Sequence, residues 1–411
     1  MIKFVIITLI LSIFSINIGV ANQSAKDSTI ILTKIKQIDV KYIIKKLFSK
    51  DEDLRKTDLE PLTKDNSFAI LPSFNYSIVT GFMAGINTLQ NFKTSLDSQT
   101  NQSNIRNFNT YSQFRQFSSI INSNIWTKGN KINFLGDYRF YKFPSTTYGL
   151  GGKTTFNDES LVDYMHLRIY QVALKKVSKN IEAGIGYHLD YHWNILETNG
   201  DNTLITYLQK YGLSSKSVSS GLSLNLQHDS RTNSSTPLGG NYVNIQYRYN
   251  LKVFGSKTNW QSLLMDMRKY IRFPNNTNNI IALWSYNWFT FDGKAPYFDL
   301  PSIGWDTYYN TGRGYAIGRY RGKNLVYFET EYRFGITHNG LLGGVAFGNV
   351  QSISNYPNSG QGITSMSKLI PSFGGGLRLK WNKLTNTSLA FDYGIGIGGS
   401  KGFIFNINEV F

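Results

Sequence analysis

The chain has 411 residues, no cysteine and a formal net charge of +17. Its lysines and arginines are spread along the whole length, which argues against a nucleic-acid surface and suits anionic lipid head groups or paired charges in a lumen. Aromatic residues make up 15%, charged residues only 17%, and 37 glycines stand against 9 prolines. That balance is unusual for a secreted soluble protein and fits a transmembrane β-barrel, whose strands are apolar on one face only. The lack of cysteine is compatible with an exported chain that needs no disulfide.

Residues 1–21 read as a secretory signal. Lys3 supplies the positive start, Phe4 to Ile16 is an almost unbroken apolar run, and Gly19-Val20-Ala21 offers small residues for cleavage. The run is shorter than the roughly 20 apolar residues of a spanning helix, and no charged stop follows it. Residues 22–67 are polar, with one ordered element expected: a helix over 39–50 capped by Asp39. Val40, Ile43, Ile44, Leu47 and Phe48 share one face, while Lys41, Lys45, Lys46 and Lys50 fall mainly on the other. Such a helix either lies on the periplasmic membrane surface or a partner, or packs as a linker under a barrel mouth.

From Phe68 to Phe411 the pattern has period two. It predicts an all-β, antiparallel transmembrane barrel of about sixteen strands, with a short N-terminal helix. The expected spans are 69–77, 82–93, 104–113, 116–126, 131–142, 161–175, 180–194, 216–228, 240–252, 257–272, 279–291, 324–336, 339–352, 368–380, 386–396 and 402–411. Loops 143–160, 195–215, 292–323 and 353–367 are long, and turns such as Thr127-Lys128-Gly129-Asn130 are short. Long loops belong at the cell surface and short turns in the periplasm.

Alternation orients the late strands. Val326, Phe328, Thr330, Tyr332, Phe334 and Ile336 share one face of 324–336, and Tyr327, Glu329, Glu331 and Arg333 the other. In 386–396, Leu389, Phe391, Tyr393 and Ile395 oppose Ser388, Ala390, Asp392, Gly394 and Gly396. A charge at the lipid midplane costs about 2–4 kcal/mol, so the charged faces point into the lumen. Strand 161–175 carries apolar and charged residues on both faces and cannot be oriented this way. A soluble β-sandwich would also alternate, but it would not explain the leader, the aromatic content, the loop asymmetry and the final aromatic together.

The stretch TGRGYAIGRYRGKNLVYFETEYRFGI holds Arg313-Gly314-Tyr315 about a hundred residues before Phe411. Followed by hairpins, this tip resembles that of the BamA/TamA family of outer-membrane barrels (the bacterial surface antigen family). The resemblance implies that the long loop folds into the lumen and that Arg313, Gly314 and Tyr315 brace the inner wall. A buried guanidinium needs acceptors; Glu329 and Glu331 are lumenal by parity, and Asp392 is a third candidate. The family often carries Phe-x-Asp-x-Gly on the strand after next. Here Gly344-Val345-Ala346-Phe347-Gly348-Asn349 puts Ala346 in the acid's place, with Gly344, Ala346 and Gly348 expected as a small-residue track on the lumenal face. Asn75-Tyr76-Ser77 to Thr80-Gly81 and Asp229-Ser230-Arg231 to Pro237-Leu238-Gly239-Gly240 resemble family turns more mildly. Phe403, Phe405, Ile407 and Phe411 resemble the C-terminal strand signal of outer-membrane barrels, with Glu409 interrupting the alternation. Residues 22–67 are too short for the family's periplasmic POTRA units.

His188, Asp190 and His192 share a strand face, from which they could line the lumen or ligate a metal, although no further ligand is identifiable. No nucleophile–base–orienter set, phosphate loop or dinucleotide fingerprint is present, so no enzyme activity and no cofactor are expected. The resemblance implies an outer-membrane protein of a Gram-negative bacterium, in contact with outer-membrane lipids and other outer-membrane or periplasmic proteins. It would assist insertion, assembly or translocation of outer-membrane components. The alternative is a structural or channel barrel, or an accessory subunit of a larger complex.

Overall fold

The computed structural model describes residues 37–48, 66–77, 81–97, 99–142, 145–197, 214–233, 236–354, 368–383 and 387–411. The expected leader over 1–21 and most of the segment over 22–67 lie outside the described residues. The strands are β1 Ser67–Ser77, β2 Gly81–Phe92, β3 Ser103–Ser112, β4 Phe117–Trp126, β5 Ile132–Lys142, β6 Ser145–Thr147, β7 Ser160–Ser178, β8 Ile181–Glu197, β9 Lys216–Asp229 and β10 Gly240–Asn250. They continue as β11 Trp260–Arg272, β12 Ile280–Gly293, β13 Asn324–Gly335, β14 Leu342–Ile353, β15 Ile370–Asn382, β16 Thr387–Gly396 and β17 Lys401–Ile407. The strand beyond the expected sixteen is β6, three residues inside the 143–160 loop that pair with the start of β7.

Each strand pairs antiparallel with the next, β5 meeting β7 directly. Among the described residues β17 is laddered only to β16, and β1 only to β2. The segment between β12 and β13 shows how far the sheet curls. It touches Arg139 of β5, Ser219 of β9, Asp392 of β16 and Asn406 of β17. A sheet whose early and late strands reach one loop is wrapped around it.

The faces are inverted relative to a soluble sheet. On β9, Leu222, Leu224 and Leu226 are 49%, 63% and 46% exposed, while Ser219, Ser223 and Asn225 are buried. Leucines outside and hydroxyls inside minimise free energy only where the surroundings are hydrocarbon. Among the described residues no helix is long and apolar enough to cross a membrane. β7, unreadable from sequence, takes Val162, Tyr164, His166 and Arg168 inward. Its inward Tyr164 stacks on Phe298 of the loop at 4.5 Å, which is why apolar residues stand on a lumenal face there.

The N-terminal helix is α1, Val40–Phe48. Asp39 caps it, its Oδ1 accepting from Tyr42 N at 2.6 Å, while Oδ2 accepts from Lys383 N at 2.7 Å. With Ile38 N donating to Asn339 O at 3.0 Å, the helix is pinned to the β13–β14 and β15–β16 turns. The expected apolar face is not covered: Ile43, Ile44 and Leu47 are 36%, 45% and 72% exposed.

Two outcomes follow. Phe156→Cys, on an exposed stretch of a long loop, should react with an impermeant thiol reagent on intact cells. Lys128→Cys, in a short turn, should react only after the membrane is breached; the reverse pattern inverts the orientation. Asp39→Ala removes cap and staple together, an N-cap alone being worth about 1 kcal/mol. Limited proteolysis should then cut at 37–48 first, with the barrel itself still resistant; unchanged cleavage would show that the carboxylate does not hold the helix.

Candidate functional site

Residues 294–323 enter the lumen from the long-loop end. Asp306 fixes the turn at their tip, its Oδ1 accepting from Thr311 N at 2.7 Å and Thr311 Oγ1 at 2.8 Å, and from Asn310 N at 2.9 Å. Arg139 of β5 donates to Tyr309 Oη at 2.6 Å and Thr307 O at 3.0 Å, fastening the tip to the opposite wall. Higher up, Arg321 donates to the carbonyls of Phe298, Tyr297 and Leu300, and Arg319 to Thr154 Oγ1 at 2.9 Å.

Arg313 is 2% exposed and lies at the centre of an ion-pair network. Its Nη1 donates to Asp392 Oδ2 at 2.7 Å, and its Nη2 to Glu331 Oε2 at 2.5 Å and to Glu329 Oε1. The guanidinium carbon stands 3.7 Å from the centroid of the Phe347 ring. Arg378 reaches Asp392 Oδ1 at 2.5 Å and Glu409 Oε2 at 2.7 Å; Arg333 reaches Glu331 Oε1 at 2.6 Å. Three guanidiniums therefore share four carboxylates, drawn from the loop, β13, β15, β16 and the residues after β17.

The tripeptide is shaped to fit. Gly314 has φ +97°, and a Cβ there would lie 3.1 Å from Ser372 and 3.2 Å from the Ile395 backbone. The Tyr315 ring lies over Gly396, its hydroxyl donating to Pro371 O at 2.6 Å and accepting from Ile397 N at 2.9 Å. A Cβ on Gly394 would come within 2.7 Å of Gly314 N. The small residues that admit the loop are thus Gly394 and Gly396 of β16.

This corrects the expectation for β14. Register pairs Tyr332 with Ala346 and Glu331 with Phe347. Ala346 is exposed and faces outward with Gly344 and Gly348, whereas Val345, Phe347 and Asn349 face the lumen. The aromatic-x-polar pattern is met by Phe347-Gly348-Asn349: the ring stacks on Arg313, and Asn349 donates its amide to Arg313 O at 3.1 Å. Asn349 can donate as well as accept, so it holds the loop carbonyl while the acids hold the guanidinium.

The C-terminal residues also part ways. Phe403 and Phe405 face outward, 87% and 47% exposed, and β17 ends at Ile407. Asn408 then takes φ +72°, a conformation Asn tolerates, and reverses the chain. Phe411 does not continue the outward row. It is 3% exposed in the lumen, stacked 5.0 Å from Trp284, with its backbone oxygen accepting from Arg333 at 2.8 Å. Glu409, which interrupts the expected alternation, is the acid that pairs with Arg378. Asn310 Nδ2 donates to Val410 O at 2.6 Å, so the loop tip and the tail meet inside the barrel.

A second cluster occupies the long-loop half. Asp190 accepts from Arg168 at 3.0 Å, Arg248 at 2.8 Å and Tyr170 at 2.5 Å, and lies 3.1 Å from His166 Nε2. His192 stacks on His166 at 4.0 Å, and His188 contacts Ser223 Oγ at 2.8 Å. The three expected residues share the lumenal face, but arginines occupy the carboxylate of Asp190. Among the described residues no set of three metal-ligating side chains converges. His188 Nδ1 has no orienting acceptor there either, so His188 and Ser223 form a pair without a third member. The loop joins this cluster through Asp299, whose Oδ2 accepts from Ser219 at 2.5 Å. Burial, and next the negative Asp190, push the Asp299 carboxyl up to about 7.

No protein-family model matches the chain, and no curated protein does. Solved structures do. A BamA from Haemophilus ducreyi lacking POTRA domains 1–3 superposes with TM-score 0.54 at 14% identity, over 84% of this chain and 70% of that one. CdiB from Acinetobacter baumannii gives 0.52 at 13% over 87% and 68%, and CdiB from Escherichia coli 0.53 at 11% over 83% and 61%. At such identities it is the fold that is shared: that of a BamA/TamA-like outer-membrane barrel of Gram-negative bacteria.

Arg313→Ala should lower barrel stability by about 3–5 kcal/mol, because it strands buried carboxylates. The thermal midpoint of the heat-modifiable band reports the loss. Glu329→Gln with Glu331→Gln should act in the same direction, and all three together should add little; full additivity would mean that the groups do not act as a unit. The raised Asp299 pKa sets a pH dependence. An acid that binds its proton more tightly folded than unfolded stabilises most below its unfolded pKa, so loop docking should weaken as pH rises from about 4 to about 7. Protease cleavage within 294–323 should rise over that window and stay flat in Asp299→Asn; identical profiles would remove Asp299 as the titrating group.

Proposed function

We propose that this chain, a BamA/TamA-like outer-membrane barrel by fold, assists insertion, assembly or translocation of other outer-membrane components at the seam between β1 and β17. One observation carries the reading: both strands are laddered on one side only among the described residues, so each offers unpaired backbone groups at membrane depth. Such edges are costly in hydrocarbon and template an incoming strand. A client hairpin would take up those hydrogen bonds and then leave as its own sheet closes. The loop-filled lumen supports the same choice over an open channel. Arg313 and Arg139 tie the loop to opposite walls, and the tail meets it from the other side. On this reading the Arg313 network keeps the late strands in shape while the seam opens, and the leader over 1–21 delivers the chain to the periplasm.

Reconstituted in proteoliposomes, the protein should accelerate folding of a urea-denatured small outer-membrane barrel relative to empty liposomes, and in a planar bilayer it should show no steady conductance. No acceleration together with a stable open current would replace the insertion reading with a channel.

A further inference from the structure

Outside the lumen, the long-loop end of β5, β7, β8 and β9 carries a pattern the seam does not use. Register aligns Lys142 with Met165, Met165 with Trp193, and Trp193 with Lys216, one row across four strands. Directly opposite residues in a ladder share a face, and this face is the outward one. The next row towards the membrane centre is Phe140, Leu167, Tyr191 and Val218, wholly apolar or aromatic. Two lysines thus flank the upper edge of an aromatic band, about 14 Å apart at three strand spacings. Between them lies a groove of about 550 Å³, with Trp193 stacked on Tyr191 at 4.8 Å. Asp163 and Asn194 line its upper rim. Among the described residues neither lysine is paired with a carboxylate.

We infer that this groove binds the head group of a phosphorylated glycolipid in the leaflet at the long-loop end. Charge decides the first part of the ligand. Unpaired ammonium groups on flexible stems at the polar boundary attract phosphate, and their stems lie along apolar surface. The band below decides the second. Aromatic rings and Met165 continue the lipid-facing surface, so the bound molecule keeps its acyl chains in the membrane. The rim decides the third. A carboxylate and an amide at the phosphate level suit sugar hydroxyls, which donate and accept, better than a bare phosphodiester. The inference does not depend on client insertion.

The test uses the full chain, delipidated in detergent and incubated with diphosphorylated lipid A, its dephosphorylated form or phosphatidylglycerol. Bound lipid is counted by native mass spectrometry. The wild type should retain lipid A roughly ten- to thirtyfold better than the dephosphorylated form, as two lysines near a phosphate would give. Lys142→Gln with Lys216→Gln should abolish that preference. Lys128→Gln with Lys131→Gln, at the opposite end of β5, should keep it. Trp193→Ala should lower retention of both lipid A forms while leaving the preference for phosphate. All variants must run as heat-modifiable barrels. An unchanged preference in the Lys142/Lys216 variant overturns the proposal. So does equal retention of phosphatidylglycerol, which would mean a general anionic-lipid surface, or full displacement by excess inorganic phosphate, which would mean a simple anion site.

Discussion

A guanidinium sealed from water cannot stay unpaired, and Arg313 is sealed. Desolvating such a charge costs several kcal/mol that only well-placed acids return. Glu329 and Glu331 come from β13 and Asp392 from β16, so neutralising one side chain fixes the spacing of strands three apart in the sheet. Excess negative charge then recruits Arg333 and Arg378, and Arg378 recruits Glu409. The reversal of the chain at Asn408, the burial of Phe411 and the path of the loop all converge on this network. A buried network of this kind is weak evidence of net stability but strong evidence of a defined geometry, since any other register leaves a charge stranded.

The rest of the lumen obeys the same rule in a milder form. Hydroxyls, amides and arginines face inward, and the loop supplies carbonyls and carboxylates to meet them. Arg321 satisfies three loop carbonyls, and Ser219 links Asp299 to Trp260. The loop thus supplies partners to the polar interior and is as much a part of the core as the strands. It also explains why apolar residues such as Val162, Tyr164 and Ile303 lie inside: they pack on or within the loop rather than face water.

Much of this was legible in sequence, wherever polarity alternated. β9, β13 and β16 declare their faces through serines, glutamates or an aspartate set against leucines and aromatics, and the acceptors near Arg313 could be picked out by parity. The face of β14 is not legible because Gly344, Ala346 and Gly348 have no polarity to show it, and small residues fit a lipid face as well as a close approach to the loop. The true clearance, Gly394 and Gly396, lay on a face already placed inside. β7 defied orientation because a plugged lumen accepts apolar side chains. Phe411 keeps the odd-numbered spacing of Phe403 and Phe405, so the pattern ran on while the backbone turned. Glu409 was the available warning, an acid in an otherwise apolar row. Arg139 and Asp306, which fix the loop tip, could not be found from pattern alone, since their partners are remote or lie within an irregular loop.

The loop tip has a consequence for how the molecule is made. Tyr309 bonds Arg139 across 170 residues of chain, and Asn310 bonds Val410 across 100. Contacts of that separation form late, after long stretches of chain have been brought together. Yet the loop cannot be threaded into a finished tube without breaking them again. A sheet that closes around residues 294–323, rather than before they enter, avoids that threading. Maturation of this barrel then resembles wrapping a sheet around a preformed mandrel, and damage to the mandrel would surface as a failure of assembly before it appeared as a failure of function.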